Sequence, residues 1–318
     1  MPEKTLIVLN PHAGGGRAGK LWSRIEPLLW DALGELLIAV TDRPSEVALH
    51  LDKARRAGLT RVITIGGDGT NHALVNALMR LNQLYPNSAP MTFGCLPIGT
   101  GHDWARTLGI PNTPAAAVRW IAAAHAAPLD VGQISFVPPD LTATDQQQTT
   151  RYFLNIASGG IGGQIDRHVN ALPRRYPWTF LNATIQAIRH YVPQTMTVKL
   201  DGQPWYTGRA WVVAVANGKS FGHGMRIAPE ARYDDSLFDV VLIEGMSRRQ
   251  AIAALYTVYL GTHVKRADVH VARARQVELD LSPNESIGLD LDGEPATGRT
   301  IRFDVLPAAL HTLVAQPI

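Results

Sequence analysis

Over the first 130 positions, apolar residues fall in short unbroken runs separated by stretches of helical spacing; further along they alternate with polar ones. The runs Thr5–Asn10, Glu35–Thr41, Arg61–Gly67 and Met91–Pro97 read as strands. Between them Leu21, Ile25, Leu28, Leu29 and Ala32 share one helical face, as do Val47, Leu51 and Ala54, and then Leu74, Ala77, Leu78 and Leu81. Strand and helix in turn is the sequence form of βαβ units, so the first domain is predicted to be a largely parallel sheet with helices packed on it. Pro27 complicates the first helix, because proline is comfortable only in an opening turn. That helix is expected to start near Ser23 or to kink.

Residues Val137–Thr150, with two prolines and a polar Asp-Gln-Gln-Gln-Thr-Thr run, read as a linker, with a new region starting at Arg151. A glycine-bearing strand over Tyr152–Gly160 and helices around Ile165–Leu172 and Phe180–Tyr191 are predicted to follow. The period then becomes two: Trp211, Val213, Val215; Val277, Leu279, Leu281; Ile287, Leu289, Leu291; Ile301, Phe303, Val305. Such alternation marks half-buried antiparallel strands, so the second domain is expected to be mainly β. One helix interrupts it, with Ile252, Leu255, Tyr256 and Tyr259 expected on its buried face. No internal repeat is present.

Composition narrows the class. A chain of 318 residues, 46% of them hydrophobic, has material for two cores. Charged residues make up 18%, with 30 Lys plus Arg against 27 Asp plus Glu, which leaves no large single-sign field and argues against a nucleic-acid binder. The excess of +3 suits an anionic membrane surface only weakly. A single cysteine, Cys95, excludes an internal disulfide and fits a reducing compartment, where it reads as core filler. The amino terminus has no secretory-signal pattern, and no apolar run approaches the ~18 residues of a membrane span.

Three glycine-bearing turns carry the candidate chemistry. Gly66-Gly67-Asp68-Gly69-Thr70 lies directly after an apolar strand and directly before a helix. There glycines let the backbone approach a ligand, and the helix amino terminus offers N–H groups to phosphate. Asp68 adds a carboxylate for Mg²⁺ or a hydroxyl; its simpler reading is a helix cap. The next strand is followed by Pro97-Ile98-Gly99-Thr100-Gly101-His102-Asp103, and the first by Asn10-Pro11-His12-Ala13-Gly14-Gly15-Gly16-Arg17-Ala18-Gly19-Lys20, which lacks the ending of a Walker loop. Three such turns on one sheet edge point to one shared site.

These loops resemble those of the diacylglycerol kinase catalytic family and its bacterial lipid-kinase branch. Asn10, Pro11, Gly14 and Lys20 match the family's first motif, Gly66–Thr70 its central one, and Pro97, Gly99, Thr100 and Asp103 its third. Leu291-Asp292-Gly293-Glu294-Pro295 resembles the family's carboxyl-terminal Asp-Gly-Glu motif, and Leu306–Leu310 its closing strand, so the resemblance spans nearly the whole chain. The central motif alone also occurs in NAD kinases and phosphofructokinases.

The resemblance implies an amino-terminal three-layer α/β nucleotide-binding domain of the NAD-kinase and phosphofructokinase kind, over 1–131 and completed by 307–318. A carboxyl-terminal β-sandwich over 132–306 would follow, with ATP and the lipid in the cleft between the two. It implies an ATP-dependent kinase that phosphorylates the hydroxyl of diacylglycerol or a related lipid alcohol, cytoplasmic and meeting its substrate at a membrane surface. Gly66, Gly67, Asp68, Gly69, Thr70, Asn71, His72, Thr100 and Thr41 would contact ATP, with Asn10, Lys20 and Asp103 completing the loops. Thr41 could equally cap a helix. Asp292 would be the general base, since an alcohol is a poor nucleophile unless a carboxylate accepts its proton; without the resemblance, an Asp-Gly hairpin turn is the commoner reading. Glu294 could orient that base or bind Mg²⁺.

The turn Asp234–Asp239 resembles one that holds a structural Mg²⁺ in bacterial relatives. Asp235 would be its side-chain ligand, with the carbonyls of Arg232 and Leu237. A second Mg²⁺ would travel with ATP. Two departures stand out: Ser236 where the family usually has glycine, so that the tight turn could differ and a plain solvated acidic turn is the alternative to the metal site, and His102 where it has asparagine, which a local hydrogen bond could explain. The run Arg174, Arg175, Tyr176, Pro177 and Trp178 could rest on anionic headgroups. The rival readings are an NAD kinase and a catalytically weak nucleotide or lipid sensor.

Overall fold

The computed structural model describes residues 4–88, 90–139, 148–172, 179–282 and 285–315. The chain divides into two compact units, Met1–Leu129 with Ala308–Ile318, and Asp130–Pro307. In the first, strands β1 (Thr5–Leu9), β2 (Leu36–Val40), β3 (Arg61–Gly66) and β4 (Thr92–Pro97) alternate with helices α1 (Ala13–Leu33), α2 (Glu46–Arg56) and α3 (Asp68–Leu84); α4 (Asp103–Thr107) and α5 (Pro114–Ala123) follow. β2, β1, β3 and β4 lie side by side and parallel. Being buried on both faces, β1 and β3 read as continuous apolar runs, the signature of a parallel sheet under helices.

The α1 stripe is as the spacing predicts at Ile25 and Leu29, both buried, whereas Leu28 is exposed. Pro27 neither starts nor breaks this helix. Gly14, Gly15 and Gly16 hold left-handed φ, and from Arg17 to Leu33 the backbone stays helical. Pro27 is exposed, so water can take the carbonyl that its missing N–H leaves without an intrahelical partner.

In the second unit, β5 (His125–Val137) pairs with β6 (Thr149–Phe153), and β7 (Ile156–Gly160) leads into α6 (Ile161–Asn170) and α7 (Thr179–His190). Then come β8 (Gln194–Leu200), β9 (Gln203–Ala216), β10 (Phe238–Glu244), α8 (Arg248–Leu260), β11 (Val269–Ala274), β12 (Gln276–Leu281), β13 (Ile287–Leu291) and β14 (Glu294–Val314), which from Ala308 on belongs to the first unit. Thr149 and Thr150 pair with Phe136 and Ser135, so the predicted linker is instead a connection inside the second unit, with 140–147 outside the described residues.

Two long strands organise this unit. β9 pairs with β8 along its first half and with β7 and β10 along its second; β14 pairs with β13 and then with β12. The layers so formed enclose a core containing Phe153, Val213, Phe238, Leu279, Leu289 and Phe303. A second apolar cluster lies on the other face of β7, β9 and β10, under α6, α7 and α8. There the predicted α8 face holds in part: Leu255 and Tyr259 pack against the cluster beside buried Ala254 and Val258, while Tyr256 is 68% exposed and Ile252 37%. The small residues face the sheet, where bulky aromatic spacing had suggested otherwise.

Candidate functional site

The three predicted turns meet in the first unit, at the carboxyl ends of the adjacent parallel strands β1, β3 and β4. Their closeness depends on missing side chains. A Cβ built on Gly99 would lie 2.5 Å from the Cα of Gly67, and one on Gly14 would lie 2.4 Å from the carbonyl oxygen of Ile98. Hydrogen bonds tie the same segments: Ile98 and Gly99 N–H donate to Gly66 C=O at 2.9 and 3.1 Å, and the Asn10 amide donates to the Thr70 hydroxyl at 3.2 Å. Asp68 opens α3 and accepts the N–H groups of Asp103 and Trp104, each at 3.4 Å, which ties the central turn to the third loop. Gly69 and Thr100 are exposed at the surface of this cluster.

The remaining members of the set differ in role. The Thr41 hydroxyl donates to Leu9 C=O at 3.3 Å and is buried; it does not cap α2, whose N-cap is Ser45. Asn71 accepts the Thr64 hydroxyl at 2.6 Å, and His72 contacts Asn76. Asp103 is buried and paired with Arg106, whereas Lys20 is exposed on α1. His102 has φ +59° and its ring donates to Gly99 C=O at 2.6 Å. That conformation favours Asn, Asp and His over other side chains, which explains how histidine can stand where the resembling family has asparagine. Cys95 is buried, and burial pushes its thiol up, in keeping with a packing role.

In the second unit, Asp292 and Gly293 form the two-residue turn between β13 and β14, with φ of +55° and +89°. This is the Asp-Gly hairpin geometry. Asp292 does more than turn the chain: its carboxylate accepts the N–H groups of Leu154 at 2.8 Å, Asn155 at 2.9 Å and Ile156 at 3.1 Å, while its own N–H donates to Ile156 C=O at 3.0 Å. Both oxygens are thus engaged with main chain. Glu294, two residues on, is half-buried, and among the described residues its carboxylate has no partner.

Behind this turn lies a feature the alternating pattern concealed. Leu289 and Leu291 face the core as predicted, but the opposite face of β13, which carries Asp290, is covered by α6. Gly163 permits the contact, since a Cβ there would lie 2.6 Å from Leu289 N and O. Asp166 of α6 and Asp290 are each 4% exposed, and Asp290 accepts the Gly293 N–H at 2.8 Å. Burial, then the neighbouring Asp166, pushes the Asp290 carboxyl well above the usual carboxylate range. Both aspartates border an apolar pocket between α6, α7, α8 and the sheet, with about 720 Å³ of empty space, its mouth included. The sequence marks the helix but neither Asp166 nor the packing of α6 on β13, because a glycine pair and an acidic residue on a helix read equally well as surface.

The predicted Mg²⁺ turn is arranged differently. Asp235 accepts the Leu237 N–H at 3.2 Å and is paired through its other oxygen with Arg273. Ser236 takes φ +61°, and its N–H donates to Asp130 at 2.6 Å. A guanidinium thus stands against the Asp235 carboxylate, the one side chain of the expected ligand set. The run Arg174–Trp178 lies outside the described residues, and no described helix is long and apolar enough to cross a membrane.

Residues 4–134 match the diacylglycerol kinase catalytic domain, and residues 155–314, half of the chain, match the YegS C-terminal NAD kinase beta sandwich-like domain. A protein of Serratia proteamaculans (strain 568) named "Probable lipid kinase YegS-like" is 27% identical over 98% of this chain and 93% of its own length. One of the same name from Pseudomonas aeruginosa PAO1 is 28% identical over 99% and 96%. A diacylglycerol kinase crystal structure from Bacillus anthracis str. Sterne superposes with a TM-score of 0.70 at 21% identity, covering 99% of this chain and 97% of that one. A second solved chain from that strain gives 0.75 at 23%, covering 99% and 98%; at these identities both speak to the fold. With both halves matched in order and the glycine loops assembled as the family's motifs require, this chain belongs to the diacylglycerol-kinase-like family of bacterial lipid kinases.

Proposed function

We propose that this chain transfers the γ-phosphate of ATP to the hydroxyl of a lipid alcohol such as diacylglycerol. The observation that carries the proposal is the meeting of the Asn10, Gly66–Thr70 and Gly99–Thr100 segments, where backbone packs against backbone with no room for a Cβ. Such a surface lets main-chain N–H groups and a helix amino terminus approach phosphate oxygens directly. The Mg²⁺ that accompanies ATP neutralises those oxygens. Support for a lipid acceptor comes from family membership and from the apolar pocket of the second unit.

In the reaction, the lipid oxygen forms a bond to the γ-phosphorus as the bond to ADP breaks, and the hydroxyl proton must go to a base. Glu294 is assigned that role. What supports it over Asp292 is that the Asp292 oxygens hold three amide N–H groups and fix the turn on which Glu294 stands. Incubation with Mg·ATP and a mixed lipid extract is expected to yield a phosphorylated lipid by mass spectrometry, with NAD left unmodified in a parallel reaction. Phosphorylation of NAD with no lipid product would overturn the proposal.

A further inference from the structure

Helix α8 is apolar on both sides. Its inner face, with Ala251, Ala254, Leu255 and Val258, lines the apolar pocket, while Ile252, Tyr256 and Leu260 on the outside are 37%, 68% and 49% exposed. Spaced four apart, those three form one stripe ~12 Å long. A surface helix ordinarily turns polar side chains outward, and at 13 residues this one is too short to span a bilayer. An outward apolar stripe on such a helix marks a contact surface.

Charge singles out what is contacted. Arg248 and Arg249 open α8, Arg209 stands on β9, and Arg189 lies in the last turn of α7. Arg209, Arg248 and Arg249 line one surface depression, together with the exposed Val192 that follows α7. Neither α7 nor α8 contains an Asp or Glu, and among the described residues none lines the depression. In a chain with 30 basic and 27 acidic residues, this is a local excess and not a reflection of net charge. The depression and the pocket share Trp211 and Met246 as wall, so the basic surface adjoins the cavity suited to a lipid tail.

We propose that α8 and the arginines at its amino end form the face by which this protein rests on an anionic membrane. Ile252, Tyr256 and Leu260 enter the headgroup region, and the arginines pair with lipid phosphates. The Tyr256 ring suits a boundary where one end is apolar and the other wet. A second copy of the chain could also cover an apolar stripe, but two such faces would oppose their arginines, whereas an anionic bilayer attracts them. The proposal rests on the lipid-kinase reading for its choice of partner and adds where the membrane lies.

Co-sedimentation with vesicles, without nucleotide, tests it. Binding to vesicles of phosphatidylglycerol and phosphatidylcholine in equal parts should exceed binding to phosphatidylcholine alone at least about tenfold, and should weaken at high salt. Arg248→Gln/Arg249→Gln should lower partitioning into the mixed vesicles about 30-fold, or ~2 kcal/mol. Tyr256→Ser/Leu260→Ser should lower it about tenfold. Thermal denaturation checks that both variants are folded. Equal binding of the wild-type protein to the two vesicles, or unchanged partitioning of either folded variant, overturns the proposal. So does a dimer in sedimentation velocity that Tyr256→Ser/Leu260→Ser dissolves, since a second copy then covers the stripe. Turnover of a detergent-dispersed lipid with Mg·ATP keeps the two readings apart: turnover without vesicle binding removes this face and leaves the kinase, whereas salt-sensitive vesicle binding without turnover on any lipid counts against the kinase and supports the face.

Discussion

The Gly66–Thr70 turn of the α/β unit is held by what its residues lack, and the Asp292–Glu294 turn of the β-rich unit by what one residue has. In the first, backbone approaches such as Gly67 to Gly99 leave no space for a side chain. In the second, a single carboxylate gathers three N–H groups from a connection 136 or more residues away in sequence. The first arrangement cannot accept an added atom; the second cannot lose an acceptor. A binding surface for a large anion gains from bare main chain, while a turn presenting one reactive side chain gains from a rigid anchor beside it.

The strongest challenge to this contrast is Glu294→Gln. If Asp292 anchors and Glu294 reacts, the variant should lose about 10²–10⁴-fold in turnover, as removal of a general base does, with its melting temperature unchanged. Near-normal turnover would return the proton to another carboxylate. Next comes Gly99→Ala, whose Cβ must displace the Gly67 backbone; misplacement of about 1 Å in a phosphate site costs on the order of 10²-fold in rate. ATP affinity by calorimetry should fall with it, and unchanged affinity in a folded variant would detach this contact from nucleotide binding.

Asp292→Asn sharpens the other side of the comparison. An amide has one acceptor oxygen, so at least one of the charge-assisted bonds is lost, at about 2 kcal/mol. For a unit of this size, that lowers the melting temperature by about 4–8 °C. A large loss of turnover with no loss of stability would instead favour Asp292 as the base. The smallest effect is expected for His102→Asn. Asparagine also tolerates left-handed φ and can donate to Gly99 C=O, so stability should move by less than about 0.5 kcal/mol and ATP affinity hardly at all.

Much of the first unit was legible in the sequence because its signals are local. Continuous apolar runs marked the buried parallel strands, and glycines directly after them marked where backbones would meet. The second unit hides its determinants in pairings between distant segments. Alternation placed Asp290 and Asp292 opposite the core, correctly, but only the packing of α6 on β13 turns Asp290 from a surface residue into a buried one. Likewise, nothing near Asp235 announces Arg273, which reaches it from β11. On α8 the pattern found Leu255 and Tyr259, which pack on the cluster, but took in exposed Ile252 and Tyr256 and passed over Ala254, because large side chains outweighed a small one that lets the helix approach the sheet.

The last strand has a consequence for how the protein is made. His311 and Thr312 pair in parallel with Thr92 and Phe93, and the Thr312 hydroxyl donates to Phe93 C=O at 3.1 Å across a separation of 219 residues. The ribosome therefore finishes β1 to β4 long before the strand that covers the outer side of β4 exists. At ~5–20 residues per second the wait is on the order of 10–40 s. During that interval β4 is an open sheet edge, a template for pairing with other chains. Completion of the amino-terminal unit is thereby deferred until residues 311 and 312 have been made.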